Sequence, residues 1–253
     1  MRVLGFDVET SGLDPAVHRV TEYGWALWDT DRGAPVLLGG GLTIPNPDEP
    51  DELTPDIIEL THITNELRRT FGRWGADLLS EMATAIARFG VERIAAHNAP
   101  FDRSFLLAEL DRLVGFDRGW LEGVKWIDTR RDLPFQCGSA KLNHLAADRG
   151  ILNPFKHRSV FDALTACMVL QTCPLDDVIA RADSPFVVLQ SVHAFADNDL
   201  AKKLKFGFKA EFGKRWLKVE KEMDVPVLLE KAAAIPQLRV RRINDVTPEQ
   251  VMA

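Results

Sequence analysis

Long hydrophobic runs are missing from this 253-residue chain. No stretch of about 18 apolar residues occurs, so a membrane-spanning helix is not expected. Acids stand at positions 7 and 9, where a signal peptide would have its apolar stretch, and no cleavage-like site follows. These absences predict a cytoplasmic protein with no membrane association.

Cysteine is scarce. The three cysteines, Cys137, Cys167 and Cys173, are odd in number and have no CxxC spacing. This pattern argues against a disulfide framework and against a zinc site, and it is typical of a protein in a reducing compartment. Internal repeats and low-complexity tracts are absent as well.

An overall excess of positive charge is also lacking, since the formal net charge is −6. The charge is unevenly distributed, however. Residues 201–221 contain eight Lys or Arg and two Glu, a local charge of +6 that leaves about −12 for the remainder. Four aromatic residues are interleaved with these cations: Phe206, Phe208, Phe212 and Trp216.

Two interpretations of this basic stretch remain open. Cations with aromatic side chains between them are what single-stranded nucleic acid requires, and such a surface would raise substrate affinity or processivity. Alternatively, the stretch is a small hairpin module with the aromatics in its own core and the lysines merely solvated. The two interpretations are compatible.

The order of predicted elements indicates an α/β fold. Strands are predicted at 2–10, 18–29 and 33–44, and a proline-rich loop at 44–56. Helices and short strands then alternate: a helix at 75–90, a strand at 93–99, a helix at 101–115, a strand from 124, and helices at 139–150 and 159–173. This order predicts one mixed sheet with helices on both faces.

The pattern changes after Cys173. We predict a principal domain over residues 1–175, a linker at 176–185 and a small basic α+β module at 186–225. A strand at 186–195, a short helix at 197–206 and a hairpin around Gly213 would form the module. Residues 226–253 are predicted to be a C-terminal tail.

Two acids on the first strand raise the question of function. Asp7 and Glu9 are two residues apart, so their side chains share one face about 6–7 Å apart. Buried side by side they would repel each other, and a bound Mg²⁺ or Mn²⁺ would remove that repulsion. The alternative is a solvent-exposed face near the end of the strand.

Two further acids stand at predicted helix starts. Asp102 follows Pro100, where a carboxylate also favours the helix dipole. Asp162 lies in the first turn of its helix, where Ser159-Val-Phe-Asp162 matches a capping box. His157 precedes Asp162 by five residues, which a continuous helix would separate by about 140° but a loop could bring together.

Taken together, GFDVETSGLDP (5–15), HNAPFD (97–102) and HRSVFDA (157–163) resemble the three motifs of the DEDDh 3′→5′ exonucleases. That family includes the proofreading exonuclease of bacterial replicative polymerases, RNase T and oligoribonuclease. The four residues between His157 and Asp162 match its histidine subclass. The resemblance extends over about residues 1–173 and implies an RNase H-like mixed β-sheet flanked by helices.

The resemblance also implies the roles of the site residues. Two Mg²⁺ ions, for which Mn²⁺ could substitute, would be bridged by Asp7. Glu9 and Asp162 would join one ion, and Asp102 would support the other through water. His157 would take the proton from the attacking water. Six residues match substrate-binding positions of the family: Thr10, Leu13, His97, Asn98, Phe101 and Phe105. For Phe101 and Phe105 a place in the core is an equal alternative.

The leading functional prediction is a metal-dependent 3′→5′ exodeoxyribonuclease that releases nucleoside 5′-monophosphates from DNA 3′ ends. An exoribonuclease would use the same motifs, and a proofreading subunit bound to a DNA polymerase is a further alternative. A non-catalytic nucleic-acid-binding module is the alternative from a different class, and it would have no reason to keep all five residues. The preferred sugar, the strand state, the processivity and the oligomeric state stay open.

Overall fold

The chain folds into two compact units. A computed structural model describes residues 1–46, 52–134 and 139–252. The units are Met1–Ile179 and Ala180–Ala253. Cys137 and residues 47–51 of the predicted proline-rich loop lie outside the described residues, whereas Cys167 and Cys173 are free thiols.

A five-stranded mixed sheet forms the centre of the first unit, with strand order β3-β2-β1-β4-β5. The pairs β1–β2 and β2–β3 are antiparallel, while β1–β4 and β4–β5 are parallel. The strands are β1 (Arg2–Thr10), β2 (Val20–Asp29), β3 (Ala34–Leu42), β4 (Arg93–Ala96) and β5 (Lys125–Asp128). The predicted mixed sheet is confirmed.

Six helices of the described residues belong to this unit, and a seventh crosses its boundary with the second unit. They are α1 (Pro55–Thr61), α2 (Asn65–Phe71), α3 (Gly75–Phe89), α4 (Ala99–Arg112), α5 (Leu142–Ala147), α6 (Ser159–Gln171) and α7 (Leu175–Asp183). Three of them correct the sequence prediction: α1 and α2 were not predicted, and α7 occupies the place of the linker at 176–185.

No single described helix is long and apolar enough to cross a bilayer. Only α6 and α7 taken together, with a bend of 109° between them, would pass by length and composition.

The two faces of β1 have different partners. Phe6 and Val8 are buried in the main core with Tyr23 and with apolar residues of α3 and α4. Asp7 and Glu9 alternate with them and therefore lie on the opposite face, where α6 packs against β1 and β2. The apolar face holds the sheet together, and the other face is left for polar side chains.

The second unit is built on its own four-stranded sheet, with order β7-β8-β6-β9 and all pairs antiparallel. Its elements are β6 (Phe186–Val192), α8 (Asn198–Lys203), β7 (Gly207–Lys209), β8 (Arg215–Lys221), α9 (Val225–Ala233), β9 (Arg239–Ile243) and α10 (Pro248–Met252). The predicted hairpin around Gly213, which has φ +76°, is confirmed.

The predicted tail at 226–253 is wrong. Residues of this range form α9, β9 and α10, and β9 pairs with β6 from Val188↔Ile243 to Val192↔Arg239. Residues 180–253 contain thirteen Lys or Arg and ten Asp or Glu, a net charge of +3. Phe206 is buried in the core of this unit, Trp216 and Phe212 pack partly buried against its two clusters, and Phe208 is 51% exposed.

Candidate active site

The five residues singled out in the sequence lie around one cavity. Asp7, Glu9, Asp102, His157 and Asp162 all line it, and its volume is about 1040 Å³. Ligand atoms of Glu9, His157 and Asp162 lie within 4.8 Å of one another, as the donors to a single metal ion would. The structure thus brings together side chains from β1, from α4 and from the start of α6.

Asp102 is held in place by the strand that carries the first two acids. Its Oδ1 accepts a hydrogen bond from the backbone N–H of Val8 at 3.1 Å. The residue lies in the first turn of α4 and only 2% of it is exposed. This bond fixes the position of the Asp102 carboxylate relative to Asp7 and Glu9, which flank Val8.

Two glycines allow α6 to approach the sheet. A Cβ on Gly24 would lie 2.1 Å from the backbone of Ser159 and Val160, and one on Gly5 would lie 2.5 Å from the carbonyl oxygen of Ala163. Contacts this short are possible only for glycine. The start of α6, and with it Asp162, consequently reaches the face of β1 that carries Asp7 and Glu9.

His157 reaches Asp162 through a turn in the chain. His157 has φ +60°, in the left-handed region, and its backbone N–H donates to Asp162 Oδ2 at 2.9 Å. The Nδ2 group of Asn153 donates to the other carboxylate oxygen, Oδ1. The loop arrangement predicted as one alternative is therefore the one observed.

The predicted capping box is absent from the start of α6. Ser159 is the first helical residue, with Arg158 at the N-cap position. The Ser159 hydroxyl donates to the backbone oxygen of Glu22 at 3.2 Å, and its N–H donates to Glu22 Oε2 at 2.9 Å. Asp162 is left free to face the cavity because Glu22 satisfies the helix start.

The ion pair between Glu22 and Arg158 was not among the predicted site features. The Arg158 Nη2 group donates to Glu22 Oε1 at 2.7 Å, and the Glu22 side chain is 5% exposed. Glu22 stands opposite Glu9 in the β1–β2 register. The ion pair connects Arg158, the residue next to His157, to the sheet. The sequence signal for it was Glu22, an acid in a strand predicted to be buried.

Burial and mutual repulsion raise the pKa values of the acids. Burial, with repulsion from Asp102 and Glu9, raises the pKa of Asp7 well above its usual value. Burial, with repulsion from Asp162 and Glu22, raises the pKa of Glu9 to about 8. Burial also raises the pKa of both Asp102 and Asp162. A cluster of carboxylate oxygens with this electrostatic conflict fits hard divalent cations.

The predicted substrate residues at the turn before α4 border the cavity in part. His97 and Phe101 line it. The Nδ1 atom of His97 lies 3.0 Å from Thr129 Oγ1 and its Nε2 atom 2.8 Å from the Ala140 oxygen, and burial lowers the pKa of His97. Asn98 is the N-cap of α4 with φ +77°.

Phe105 lies in the core, which is the alternative that the sequence left open for it. It is fully buried in the main core, where its ring packs against Phe101 at 4.9 Å between centroids. Thr10 donates its hydroxyl to the Gly12 oxygen at 2.6 Å, and Leu13 is 82% exposed. Neither Thr10 nor Leu13 is among the described residues that line the cavity, and their roles stay predictions.

Three cations that were not among the predicted site residues also line the cavity. They are Arg130, Lys141 and Lys156, and the Arg130 Nη1 group donates to Asn98 Oδ1 at 3.4 Å. Lys156 directly precedes His157, but lysine and arginine are too common on surfaces for their positions to be a signal. Buried acids with cations beside them suit a ligand that carries phosphates.

Comparison with known proteins identifies the family. The family model for exonucleases (RNase_T) matches residues 4–170. The chain therefore belongs to this exonuclease family, and its mixed sheet flanked by helices is the RNase H-like fold that the sequence resemblance predicted. A search of curated proteins found no match.

Solved structures share the fold at low sequence identity. Exonuclease I from E. coli, in complex with a dT13 oligonucleotide, has a TM-score of 0.59 at 15% identity, over 99% of this chain and 67% of that chain. The nuclease domain of 3′hExo, a DEDDh family member bound to rAMP, has a TM-score of 0.54 at 17% identity, over 68% and 90%. A 3′-exonuclease that recognises the histone mRNA stem-loop has a TM-score of 0.55 at 16% identity, over 68% and 62%. This chain thus spans less than two thirds of the stem-loop-binding protein.

Proposed function

We propose that the protein is a metal-dependent 3′→5′ exonuclease that releases nucleoside 5′-monophosphates from the 3′ ends of DNA strands. The observation that carries the proposal is the convergence of Asp7, Glu9, Asp102, Asp162 and His157 on one cavity. Three separate segments of the chain supply these residues, and burial makes their proximity costly without a counter-charge.

The four carboxylates are the residues that would hold divalent metal, which we propose to be two Mg²⁺ ions. Bound there, such ions supply Lewis acidity for the attacking water and for the leaving 3′ oxygen. The raised pKa values of Asp7 and Glu9 support this assignment, because a cation would offset the repulsion between the ionised carboxylates. Mn²⁺ has the same preference for oxygen ligands and should substitute.

The protein's own side chains supply the remaining chemistry. In its neutral form, the His157 imidazole can accept the proton of an attacking water. The Asp162 carboxylate fixes the backbone of His157, and the Glu22–Arg158 pair fixes the next residue. The cations that line the cavity would bind the phosphates of the strand.

Two observations support DNA over RNA. The structural likeness to Exonuclease I, determined with deoxyoligonucleotides, covers 99% of this chain and so includes the second unit. The likeness to the RNA-related 3′-exonucleases covers 68%. An exoribonuclease is the second candidate, because those RNA-related enzymes share the fold of the first unit.

A labelled-strand assay tests the proposal. The purified protein is incubated with 5′-labelled DNA and RNA oligonucleotides of one sequence, with Mg²⁺ or with EDTA. We expect a Mg²⁺-dependent ladder of 5′-labelled products that is faster on DNA. A faster ladder on RNA would make the exoribonuclease the function, and no shortening of either strand would contradict both.

A further inference from the structure

One face of the sheet in the second unit carries cations from three strands. Lys209 on β7 stands opposite Arg215 on β8, and Arg239 on β9 stands opposite Val192 on β6. Arg241, two residues beyond Arg239, stands opposite Gln190. We call these four cations the cationic strip: Lys209, Arg215, Arg239 and Arg241.

The register places all four on the same face. Gln190 pairs with Leu217 on one side and Arg241 on the other, and residues two apart in a strand share a face. Arg215 is two residues from Leu217, and Arg239 is two from Arg241. The Arg241 Nη2 group donates to Gln190 Oε1 at 2.9 Å, which shows that these two side chains lie together.

The strip is only partly neutralised within the unit. Asp245 binds the Arg215 guanidinium, and Glu211 lies 3.8 Å from Lys209 Nζ. Arg241 contacts the neutral amide of Gln190. Asp245 also feels the charge of Arg241, so two acids offset part of the charge of four cations, of which Lys209 and Arg215 stand directly opposite each other. An anionic ligand would offset the remainder.

The end of the sheet that holds the strip is partly exposed: Arg239 and Arg241 are exposed, and the side chains of Lys209 and Arg215 are 32% and 31% exposed. Val251 of α10 packs with Val188 and Leu217 and covers the other end of the same face. Val192 lies on β6, between the strands that carry Arg215 (β8) and Arg239 (β9), and it is 45% exposed. Four strands about 4.8 Å apart give the row a length of about 14 Å.

We propose that the cationic strip binds the phosphate backbone of a single strand of nucleic acid, an inference that rests on the proposed function. The guanidinium groups of arginine and the ammonium group of lysine bind phosphate well. A row of cations across a sheet matches a linear polyanion better than a compact one. Because the contacts are to phosphates, binding should be strongly salt-dependent and insensitive to base sequence. The strip includes Arg239 and Arg241, which the basic stretch at 201–221 does not.

The chain offers a matched control for this proposal. Arg242 lies beside Arg241 on the opposite face of β9 and binds Glu222 at 2.6 Å, and Lys231 is exposed on α9. The test pair is Arg239→Gln with Arg241→Gln, and the control pair is Lys231→Gln with Arg242→Gln. Both lower the net charge equally, and equal unfolding temperatures would show that both variants remain folded.

Binding is measured in EDTA, so that hydrolysis is not required, by fluorescence anisotropy of a labelled dT oligonucleotide over a salt series. We expect the strip pair to weaken binding by roughly tenfold and to reduce the salt slope by about 1.4, since each single-strand phosphate contact contributes about 0.7. The control pair should change affinity by less than about twofold.

Equal losses in the two pairs, or no loss in the strip pair, would overturn the proposal. Polyglutamate serves as a second probe. If the strip pair lost binding to polyglutamate but kept its binding to the oligonucleotide, the proposal would also be overturned, and an acidic protein would be the occupant. Hydrolysis of a dinucleotide separates the two proposals. If the wild type hydrolyses the dinucleotide but the strip pair binds the oligonucleotide as well as the wild type does, only the strip proposal is wrong. If the strip pair weakens binding but the wild type hydrolyses nothing, only the proposed function is wrong.

Discussion

At the level of single residues, burial determines how readily the acids of the site lose their protons. Glu9 lies next to Asp162 and Glu22 at the end of β1, and its pKa is raised from 4.5 to about 8. Between these two pH values the folded protein retains a proton that the unfolded chain releases. Stability of the metal-free protein therefore falls as the pH rises from about 4.5 to 8.

Replacing Glu9 by Gln tests this sign. In EDTA, the unfolding temperature of the wild type should fall between pH 5 and pH 8, and the fall should be smaller in Glu9→Gln because the titrating group is gone. Mg²⁺ should restore wild-type stability at pH 8. Glu59→Gln, at an exposed position, is the control and should follow the wild type. Parallel curves for wild type and Glu9→Gln would contradict the assignment.

The catalytic candidates were predictable because few residue types can do their chemistry. Asp7, Glu9, Asp102, His157 and Asp162 stood out by type and order, and they do lie together. The sequence left Phe105 open between substrate and core, and it assigned Ser159 a capping role that the structure lacks. The burial of a phenylalanine and the partner of a helix-start serine both depend on residues distant in sequence. Glu22, the partner of Ser159, is 137 positions away.

Among the secondary-structure elements, the close packing of α6 on β1 and β2 positions the site. Gly24 lies directly beneath the first turn of α6. A side chain there would have to displace the backbone of Ser159 and Val160. Such a displacement would also move His157 and Asp162, so this glycine links packing to activity.

Gly24→Ala should destabilise the protein by about 1–3 kcal/mol through overpacking. It should also lower kcat by more than the loss of folded protein explains. Gly75→Ala is the control, because its added Cβ would meet only a Tyr23 ring atom at 3.8 Å. Urea unfolding and initial rates measure the two effects. Normal activity in folded Gly24→Ala would show that α6 tolerates the displacement.

The loop before α6 should respond to metal. His157 holds a left-handed conformation beside Asp162, whose carboxylate accepts its N–H. We predict that Mg²⁺ slows amide hydrogen exchange across residues 154–160, because a cation removes the repulsion among the neighbouring acids. Equal exchange with and without Mg²⁺ would count against metal binding to Asp162. Exchange in α3 serves as the internal reference.

Long, strongly patterned elements were predictable, and short ones were not. The alternation in β1 and the apolar spacing in α3 reflect their cores directly. The helices α1 and α2 have seven residues each, and α7 buries only Val178 among its described residues. Helices of this length depend on tertiary contacts more than on local pattern.

The whole molecule comprises two units with separate hydrophobic cores. The exonuclease family match ends at residue 170, and the second unit packs apolar residues on both faces of its own sheet. Its edge strand β9 reads RVRRI, a polar sequence that suggested a tail. Pairing with β6, about 50 residues earlier, makes it a strand, and local sequence does not predict such distant pairing.

We predict that a chain ending at Ser184 folds cooperatively and hydrolyses a dinucleotide within about threefold of the full chain. Its KM for a long single strand should rise by roughly tenfold, because a second binding surface has been removed. Steady-state kinetics on the two substrate lengths make the comparison. An unchanged KM for the long strand would assign the second unit a role other than strand binding.

We propose that Asp7 and its neighbours form a hydrolytic site. The most direct test measures 5′-monophosphate release from a dT oligonucleotide at saturating Mg²⁺ by the wild type, Asp7→Asn and Asp177→Asn. Asp177 is an exposed acid in the first turn of α7 and serves as the matched control. We expect a loss on the order of a thousandfold or more in Asp7→Asn and none in Asp177→Asn. Release by Asp7→Asn at the wild-type rate would contradict the proposal.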